Sequence, residues 1–231
     1  MKAAGNERLT IGVGASHSVC GLFDRPAAAR AVLVLAHGAG AGMQHPSMQA
    51  AAMGLAERGI ATLRYQFPYM ERKSRRPDPP ALCHETVRAA VAAAARLAPD
   101  LPLVAGGRSF GGRMTSQAQA LSPLAGVRGL VFLAFPLHPA GRSGTDRAAH
   151  LQEIGIPMLF IQGSRDELAD LSLLRPVIER LGSRGTLHVL EDADHSFHVP
   201  ARGGRKDSQV REDALDAVCS WLERLEGAQP S

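Results

Sequence analysis

Short apolar segments alternate along this chain with longer segments of helical periodicity, and this alternation limits the possible folds more than any other feature. The apolar runs lie at residues 31–36, 60–64, 101–105, 127–135, 156–162 and 186–190. Almost continuously apolar strands are typical of a sheet buried on both faces, and their alternation with helices is typical of βαβ units. The sequence therefore predicts an α/β protein with a mostly parallel central sheet and helices on both faces.

Helices are predicted between these strands and after the last one. They cover residues 46–58, 81–98, 110–121, 145–153, 171–181 and 207–225. Pro99 and Pro123 lie just beyond two of these segments, where proline stops a helix. Two weaker apolar runs, residues 9–13 and 21–23, are candidates for antiparallel strands that lead the sheet.

The organisation of the chain indicates one domain. No repeat and no linker rich in proline or serine divides the 231 residues, so a single domain, 1–231, is expected. About ten residues separate Phe135 from the next predicted helix, and this length excludes a large lid domain. The longest irregular stretch, residues 65–80, is expected to form a wall of the site.

Composition and charge limit the partners of the protein. The formal net charge is +4, but the basic residues are scattered apart from 72–76, and aromatic residues make up only 4% of the chain, so nucleic acid is not expected. No stretch approaches the ~18 apolar residues of a membrane span, and the first ten residues lack the apolar segment of a secretory signal. Cys20, Cys83 and Cys219 match no metal-binding spacing. We expect a cytoplasmic protein with free thiols, no metal and no membrane association.

The segment GRSFG at residues 107–111 has the pattern G-x-S-x-G. It directly follows an apolar run and opens a helical pattern, which is the strand–turn–helix context of a nucleophile elbow. In such a turn Ser109 would project its hydroxyl from the carboxyl edge of the sheet, and the glycines would leave room for crowded backbone. A glycine-rich turn with a serine N-cap would produce the same five residues, but the context favours a nucleophile.

A serine nucleophile needs a base within hydrogen-bond reach. In folds with a nucleophile elbow, the three catalytic residues occur along the chain in the order serine, acid, histidine. Asp166 is the first acid after the run 156–162, and His195 follows the run 186–190. Both should lie at the sheet edge from which Ser109 emerges, because the carboxyl ends of parallel strands meet there. We predict Asp166 as the acid and His195 as the base. The alternatives are Glu167, Asp170, Asp192 and Asp194 for the acid, and His138, His188 and His198 for the base.

The first strong strand ends in HGAGAG at residues 37–42, a loop with small side chains that allows close approach of its backbone to a ligand. A hydrolase needs backbone N–H groups directed at the developing oxyanion. One donor should be Phe110, and the other Ala39, or Gly40 if the register is shifted. His37 is expected to brace this loop rather than act as a base.

The same loop resembles a dinucleotide-binding fingerprint. Its third glycine position is occupied by Met43, however, and the next strand ends in Arg64 rather than in an acid. A dinucleotide site would also leave the GRSFG motif, Asp166 and His195 without a role. No organic cofactor is therefore expected.

Together these segments resemble the α/β-hydrolase superfamily, and more narrowly its small, lidless, dienelactone-hydrolase-like bacterial members. The segments are HGAGAG (37–42), RYQFPYMERKSRRPD (64–78), GGRSFGGRM (106–114), FPLHPAG (135–141), QGSRDEL (162–168) and DADHSFHVP (192–200). By this resemblance Ser109, Asp166 and His195 match the nucleophile, acid and base. Dienelactone hydrolases proper have a cysteine where this chain has Ser109, which argues against the dienelactone reaction. FPYMER and FPLHPAG are also similar to segments of a subfamily of predicted hydrolases, some of whose eukaryotic relatives act as scaffold subunits.

The expected function is that of a carboxylesterase-like serine hydrolase, which cleaves a small ester or thioester through an acyl-enzyme. Its expected partner is a small-molecule acyl substrate, and it would act as a monomer or homodimer. Candidates for lining the cleft are His37, Arg108, Arg113, His138 and His198, of which Arg108, Arg113 and His138 would favour an anionic or polar acyl group. The alternatives are a non-catalytic scaffold or interaction module on the same fold, and a peptidase or C–C hydrolase with the same triad.

Overall fold

The computed structural model describes residues 6–227. The strands are β1 (Asn6–Val13), β2 (His17–Asp24), β3 (Ala31–Ala36), β4 (Ile60–Tyr65), β5 (Leu103–Arg108), β6 (Val127–Leu133), β7 (Met158–Gly163) and β8 (Gly185–Leu190). They form one sheet in the order β1-β2-β4-β3-β5-β6-β7-β8. The pairs β1–β2 and β2–β4 are antiparallel, and every other pair is parallel. The prediction of a mostly parallel sheet is confirmed.

The helices lie between the strands. They are α1 (Pro46–Glu57), α2 (Pro68–Glu71), α3 (Pro80–Leu97), α4 (Phe110–Leu121), α5 (Leu171–Arg180) and α6 (Asp207–Gly227), with 3-10 helices at Asp146–Glu153, Gly182–Arg184 and Ala201–Gly203. Among the described residues, no helix is long and apolar enough to cross a membrane.

Two helical layers cover the sheet, as the apolar pattern of the strands predicted. In β3 every side chain is buried, and successive residues point to opposite faces. Val32 and Val34 pack in the core that contains residues of α3, α4 and α5, whereas Leu33 and Leu35 pack in the core that contains residues of α1 and α6. Burial of both faces explains why the parallel strands are almost continuously apolar.

Two local predictions differ from the structure. Residues 65–80 are not wholly irregular, because Pro68 begins the four-residue helix α2, which is too short to show a periodic pattern. The helix predicted at 145–153 is a 3-10 helix, Asp146–Glu153, since apolar spacing does not separate this geometry from an α-helix. Only residues 134–145 separate β6 from this helix, so the prediction that there is no large lid is confirmed.

The fold gathers loops at one edge of the sheet. The strands β3 to β8 run parallel, so their carboxyl ends point in the same direction. The loops after β3, β5, β6, β7 and β8 therefore meet at that edge, and they carry the residues that the sequence singled out.

Candidate active site

Ser109 lies in a strained turn between β5 and α4. Its backbone has φ of 49° and ψ of −117°, a conformation that residues other than glycine rarely adopt. The Ser109 N–H donates to the carbonyl of Leu133 at the end of β6 (2.9 Å), which holds the turn against the sheet. A strained residue of this kind costs about 1–3 kcal/mol and persists only where its surroundings fix it.

Glycines allow this turn to pack against the end of β3. A Cβ atom placed on Gly107 would lie 2.7 Å from the carbonyl oxygen of Ala36, and one on Gly111 would lie 2.5 Å from that of His37. Real Cβ atoms do not come this close, so the two positions require glycine. The packing brings Ser109 beside the loop that follows β3, where a Cβ on Gly38 would be 3.8 Å from the Cβ of Ser109.

The structure brings Ser109, His195 and Asp166 into one hydrogen-bond chain. His195 Nε2 lies 2.8 Å from Ser109 Oγ, and His195 Nδ1 lies 2.8 Å from Asp166 Oδ2. The Asp166 side chain is fully buried, whereas the His195 side chain is 26% exposed. A carboxylate accepts hydrogen bonds only, so Nδ1 carries the imidazole proton and the lone pair of Nε2 faces the serine hydroxyl.

Backbone and side-chain donors fix the carboxylate of Asp166. The Leu168 N–H donates to Oδ1 (2.8 Å), and the side-chain amide of Gln162 donates to Oδ2 beside His195. Gln162 was not predicted as a site residue, and the only sequence signal for it is a polar residue at the end of an apolar strand. Of the alternative acids, Glu167 is exposed and Asp170 accepts from the Ser172 N–H as the N-cap of α5.

The loop that carries His195 is held by Asp194 and Arg108. The Asp194 carboxylate accepts from the N–H groups of Ser196 and His198 (2.7 and 2.9 Å), which folds the loop into a tight turn. Arg108, the residue before Ser109, donates from Nη2 to the carbonyl of His195 (3.0 Å), and its guanidinium carbon lies 4.9 Å from the centre of the Phe197 ring. Arg108 thus joins the serine turn to the histidine loop.

His37 is completely buried below the loop that follows β3. Its Nε2 accepts from the Phe67 N–H (3.1 Å), so Nδ1 carries the proton and donates to the carbonyl of Gly38 (2.8 Å). Burial lowers the pKa of His37 to about 4, which keeps the ring neutral. These bonds brace the loop.

The N–H groups near Ser109 differ in their hydrogen bonding. The Gly40 N–H donates to the hydroxyl of Tyr69 (3.3 Å). In residues 6–227 no group accepts from the Ala39 N–H. Phe110 occupies the first position of α4, where an N–H has no acceptor within the helix. The N–H groups of Ala39 and Phe110 are therefore both free to donate to a bound group.

The other histidines considered from the sequence have structural partners. His138 is buried, with Nδ1 at 3.0 Å from the Pro139 carbonyl and Nε2 accepting from the Asp170 N–H (3.2 Å). His198 lies on the surface with Nδ1 2.8 Å from Asp207, and this hydrogen bond raises its pKa. His188 pairs with Asp213.

No group of three or more histidine, cysteine, aspartate or glutamate side chains is arranged to hold a metal ion within the described part of the chain. The three cysteines are free, and burial raises the pKa of the Cys83 thiol to about 12.

A sheet with this strand order, and with a strained serine turn after its fifth strand, is the architecture of the α/β hydrolases. The chain belongs to that family, since residues 29–223 match the family described as Alpha/beta hydrolase domain.

Solved structures support the same fold. An α/β serine hydrolase homologue from Coxiella burnetii is 20% identical, with a TM-score of 0.74, and the match covers 94% of this chain and 99% of that one. A dienelactone hydrolase from Anabaena variabilis is 21% identical (TM-score 0.72, 96% of each chain). An α/β serine hydrolase without a lid from Xanthomonas campestris is 24% identical (TM-score 0.71, 96% of each chain). This chain is thus similar to lidless members of the superfamily in fold.

Proposed function

We propose that this protein is a serine hydrolase that cleaves a small ester or thioester through an acyl-enzyme. Ser109 is the nucleophile, His195 the general base and Asp166 the residue that orients the base. The observation that carries the proposal is the hydrogen-bond chain from Ser109 Oγ through His195 to Asp166, with 2.8 Å at both links.

Acylation begins with attack of Ser109 Oγ on the substrate carbonyl while His195 Nε2 removes the hydroxyl proton. Asp166 keeps the proton of His195 on Nδ1 and stabilises the imidazolium that forms. Gln162 and the Leu168 N–H hold this carboxylate in one orientation, so the base does not need to reorganise during the reaction.

The negative charge on the carbonyl oxygen is stabilised by the N–H groups of Phe110 and Ala39. Ala39 is favoured over Gly40 as the second donor, because the Gly40 N–H already donates to Tyr69. Removal of one such donor typically costs about 10²–10³ in turnover. His195 then protonates the leaving alcohol or thiol, and afterwards it activates the water that releases the acyl group as an acid.

The strain at Ser109 supports a catalytic role over a non-catalytic scaffold. A backbone with φ of 49° at a serine is costly, and a binding module could avoid this cost with glycine or a relaxed turn. In a hydrolase the same backbone directs the hydroxyl toward His195 and leaves the Phe110 N–H facing the substrate.

Stopped-flow hydrolysis of 4-nitrophenyl acetate tests the proposal. The wild type should release a burst of nitrophenolate close to one equivalent of enzyme, and intact-protein mass spectrometry should detect one acetyl group. Ser109→Ala should show neither signal. Ser122→Ala is the matched control, because Ser122 is exposed at the other end of the same helix, and it should behave as the wild type. A burst that survives in Ser109→Ala would overturn the assignment.

A further inference from the structure

Arg113 lies one helical turn after Ser109 and has no acidic partner. Its backbone N–H donates to the carbonyl of Ser109 (3.1 Å), and its guanidinium carbon lies 5.8 Å from the centre of the Phe110 ring. The side chain is half-buried, and its Nε atom is fully buried without a hydrogen-bond partner. A buried guanidinium N–H that bonds to nothing is costly. The Nε of Arg64 is also unbonded, but the Arg64 guanidinium pairs with Asp24, whereas among the described residues the guanidinium of Arg113 has no acceptor.

Most other arginines that are at least partly withdrawn from solvent have an acceptor inside the protein. Arg88, Arg108 and Arg184 donate to backbone carbonyls, and others pair with carboxylates. Arg64 is buried and pairs with Asp24 (2.8 Å), and Arg58 pairs with both Glu212 and Asp216 (2.8 and 2.7 Å). In the described part of the chain, no aspartate or glutamate lies within ion-pair distance of Arg113. Arg113 therefore lacks the internal acceptor that most half-buried arginines have, and an acceptor from outside the protein would supply it.

A second arginine adds to this charge. Arg147 lies on the 3-10 helix Asp146–Glu153, is also half-buried, and has no ion pair within residues 6–227. Burial lowers the pKa of both arginines, and the positive charge of Arg147 lowers that of Arg113 further. The 3-10 helix that carries Arg147 packs against α4, so the two unpaired guanidinium groups lie close enough to repel each other.

The neighbouring histidines do not neutralise the arginines. His150 donates from Nε2 to the hydroxyl of Ser116 (2.8 Å), which itself donates to the Arg113 carbonyl, and burial lowers the pKa of His150 to about 4. His84 bonds to Gln117 (3.2 Å), and burial lowers its pKa as well. Both rings are neutral at pH 7, so the net charge of this arginine pair is positive and uncompensated.

We propose that Arg113 and Arg147 bind a carboxylate carried by the acyl part of the substrate, which makes the enzyme selective for monoesters of dicarboxylic acids. Guanidinium groups bind carboxylates through paired hydrogen bonds, and the partly desolvated setting strengthens them. The site lies against Phe110, whose N–H is the proposed oxyanion donor, so an anchored carboxylate would hold the reacting carbonyl beside Ser109. This inference rests on the proposed function. It replaces the expectation that Arg108 and His138 contribute to an anionic site, since both are held by contacts inside the protein.

The test compares two esters that have the same leaving group and the same number of acyl carbons, 4-nitrophenyl hydrogen adipate and 4-nitrophenyl hexanoate. We expect the wild type to prefer the adipate by at least tenfold in kcat/KM, with the preference falling as salt is raised. Arg113→Met and Arg147→Met should each reduce the ratio about tenfold or more, and Arg113→Lys should retain part of it. Arg175→Met, which removes an exposed arginine on α5, is the control and should keep the wild-type ratio.

The outcomes separate this inference from the proposed function. Two results would overturn the carboxylate site and leave the serine hydrolase proposal intact. One is hydrolysis that depends on Ser109 but shows no preference for the adipate. The other is a preference for the adipate that survives in both Arg113→Met and Arg147→Met. Calorimetric titration of monomethyl adipate into Ser109→Ala provides a measurement that does not require turnover. If monomethyl adipate binds Ser109→Ala but not Ser109→Ala/Arg113→Met, the carboxylate site is supported even if neither nitrophenyl ester is hydrolysed. If monomethyl adipate does not bind Ser109→Ala and the wild type does not prefer the adipate ester, the site is refuted.

Discussion

The hydrogen bond from Arg108 to the carbonyl of His195 makes a prediction about how the base is positioned. Arg108→Met keeps most of the apolar stem but removes the guanidinium. The lost interactions are one hydrogen bond from a charged donor, worth about 1.5–3 kcal/mol, and the contact with the Phe197 ring, worth ~0.5–1 kcal/mol. We therefore expect the free energy of unfolding to fall by about 2–4 kcal/mol.

Catalysis should suffer because the histidine loop would no longer be tied to the serine turn. Each 1.4 kcal/mol of lost positioning corresponds to about tenfold in rate, so kcat/KM should fall by roughly 10–100-fold. The loss should appear in kcat more than in KM, because the contact acts on the base and not on the substrate.

Urea unfolding and steady-state hydrolysis of 4-nitrophenyl acetate measure the two effects. Arg211→Met is the matched control. Arg211 and Arg108 both line a cavity between α1 and α6, but the Arg211 side chain is 41% exposed, so its loss should change kcat/KM less than twofold. Arg108→Lys, which retains a charged donor, should recover part of the activity. A folded Arg108→Met enzyme with wild-type kcat would refute the positioning role.

Three further predictions follow from the site. Asp166→Asn should lower kcat by about 10⁴ with little change in the circular dichroism spectrum, whereas Glu167→Gln should retain activity; near-wild-type turnover of Asp166→Asn would move the acid role elsewhere. Burial lowers the pKa of His37 from 6.5 in the unfolded chain to about 4 in the folded protein. As the pH falls below 6.5, the unfolded chain therefore takes up a proton before the folded protein does. About 3 kcal/mol of the free energy of unfolding that is present above pH 6.5 is lost as the pH falls toward 4. Urea unfolding at pH 7 and 4.5 should show that His37→Gln loses less free energy of unfolding than the wild type does between these pH values. An equal loss in both proteins would exclude His37 as the cause. Gly107→Ala should destabilise the protein by about 1–3 kcal/mol and abolish esterase activity, because the new methyl group would overlap the backbone of Ala36; an active, stable variant would show that the turn is not so tightly packed.

The sequence was sufficient to predict the sheet and its helices because both faces of the parallel strands are buried. Burial makes the strands β3 to β7 almost continuously apolar, and the segment 31–36 was predicted with the bounds that the structure has. The edge strand β8 is only partly buried. The first two strands gave a weaker signal, since only part of each is buried; β2 begins with exposed residues at His17 and Ser18.

The site was predictable as far as it depends on local pattern and chain order. The strand–turn–helix context singled out Ser109, and the position after a strand singled out Asp166 and His195; the structure places these three side chains in one hydrogen-bond chain. Their roles remain proposals.

The remaining contacts depend on tertiary structure. Arg108 reaches a carbonyl 87 positions away, and no spacing or periodicity encodes that contact. Gln162 and Arg147 were missed for the same reason, because their importance comes from the residues that the fold places beside them.

Labelling with a fluorophosphonate probe tests the central claim most directly, since the probe reacts only with a serine that is activated by a base. Peptide mass spectrometry should locate the modification on Ser109 in the wild type and in Ser122→Ala, and none should be found in Ser109→Ala. Absence of labelling in folded wild-type protein, or modification of a different residue, would contradict the account.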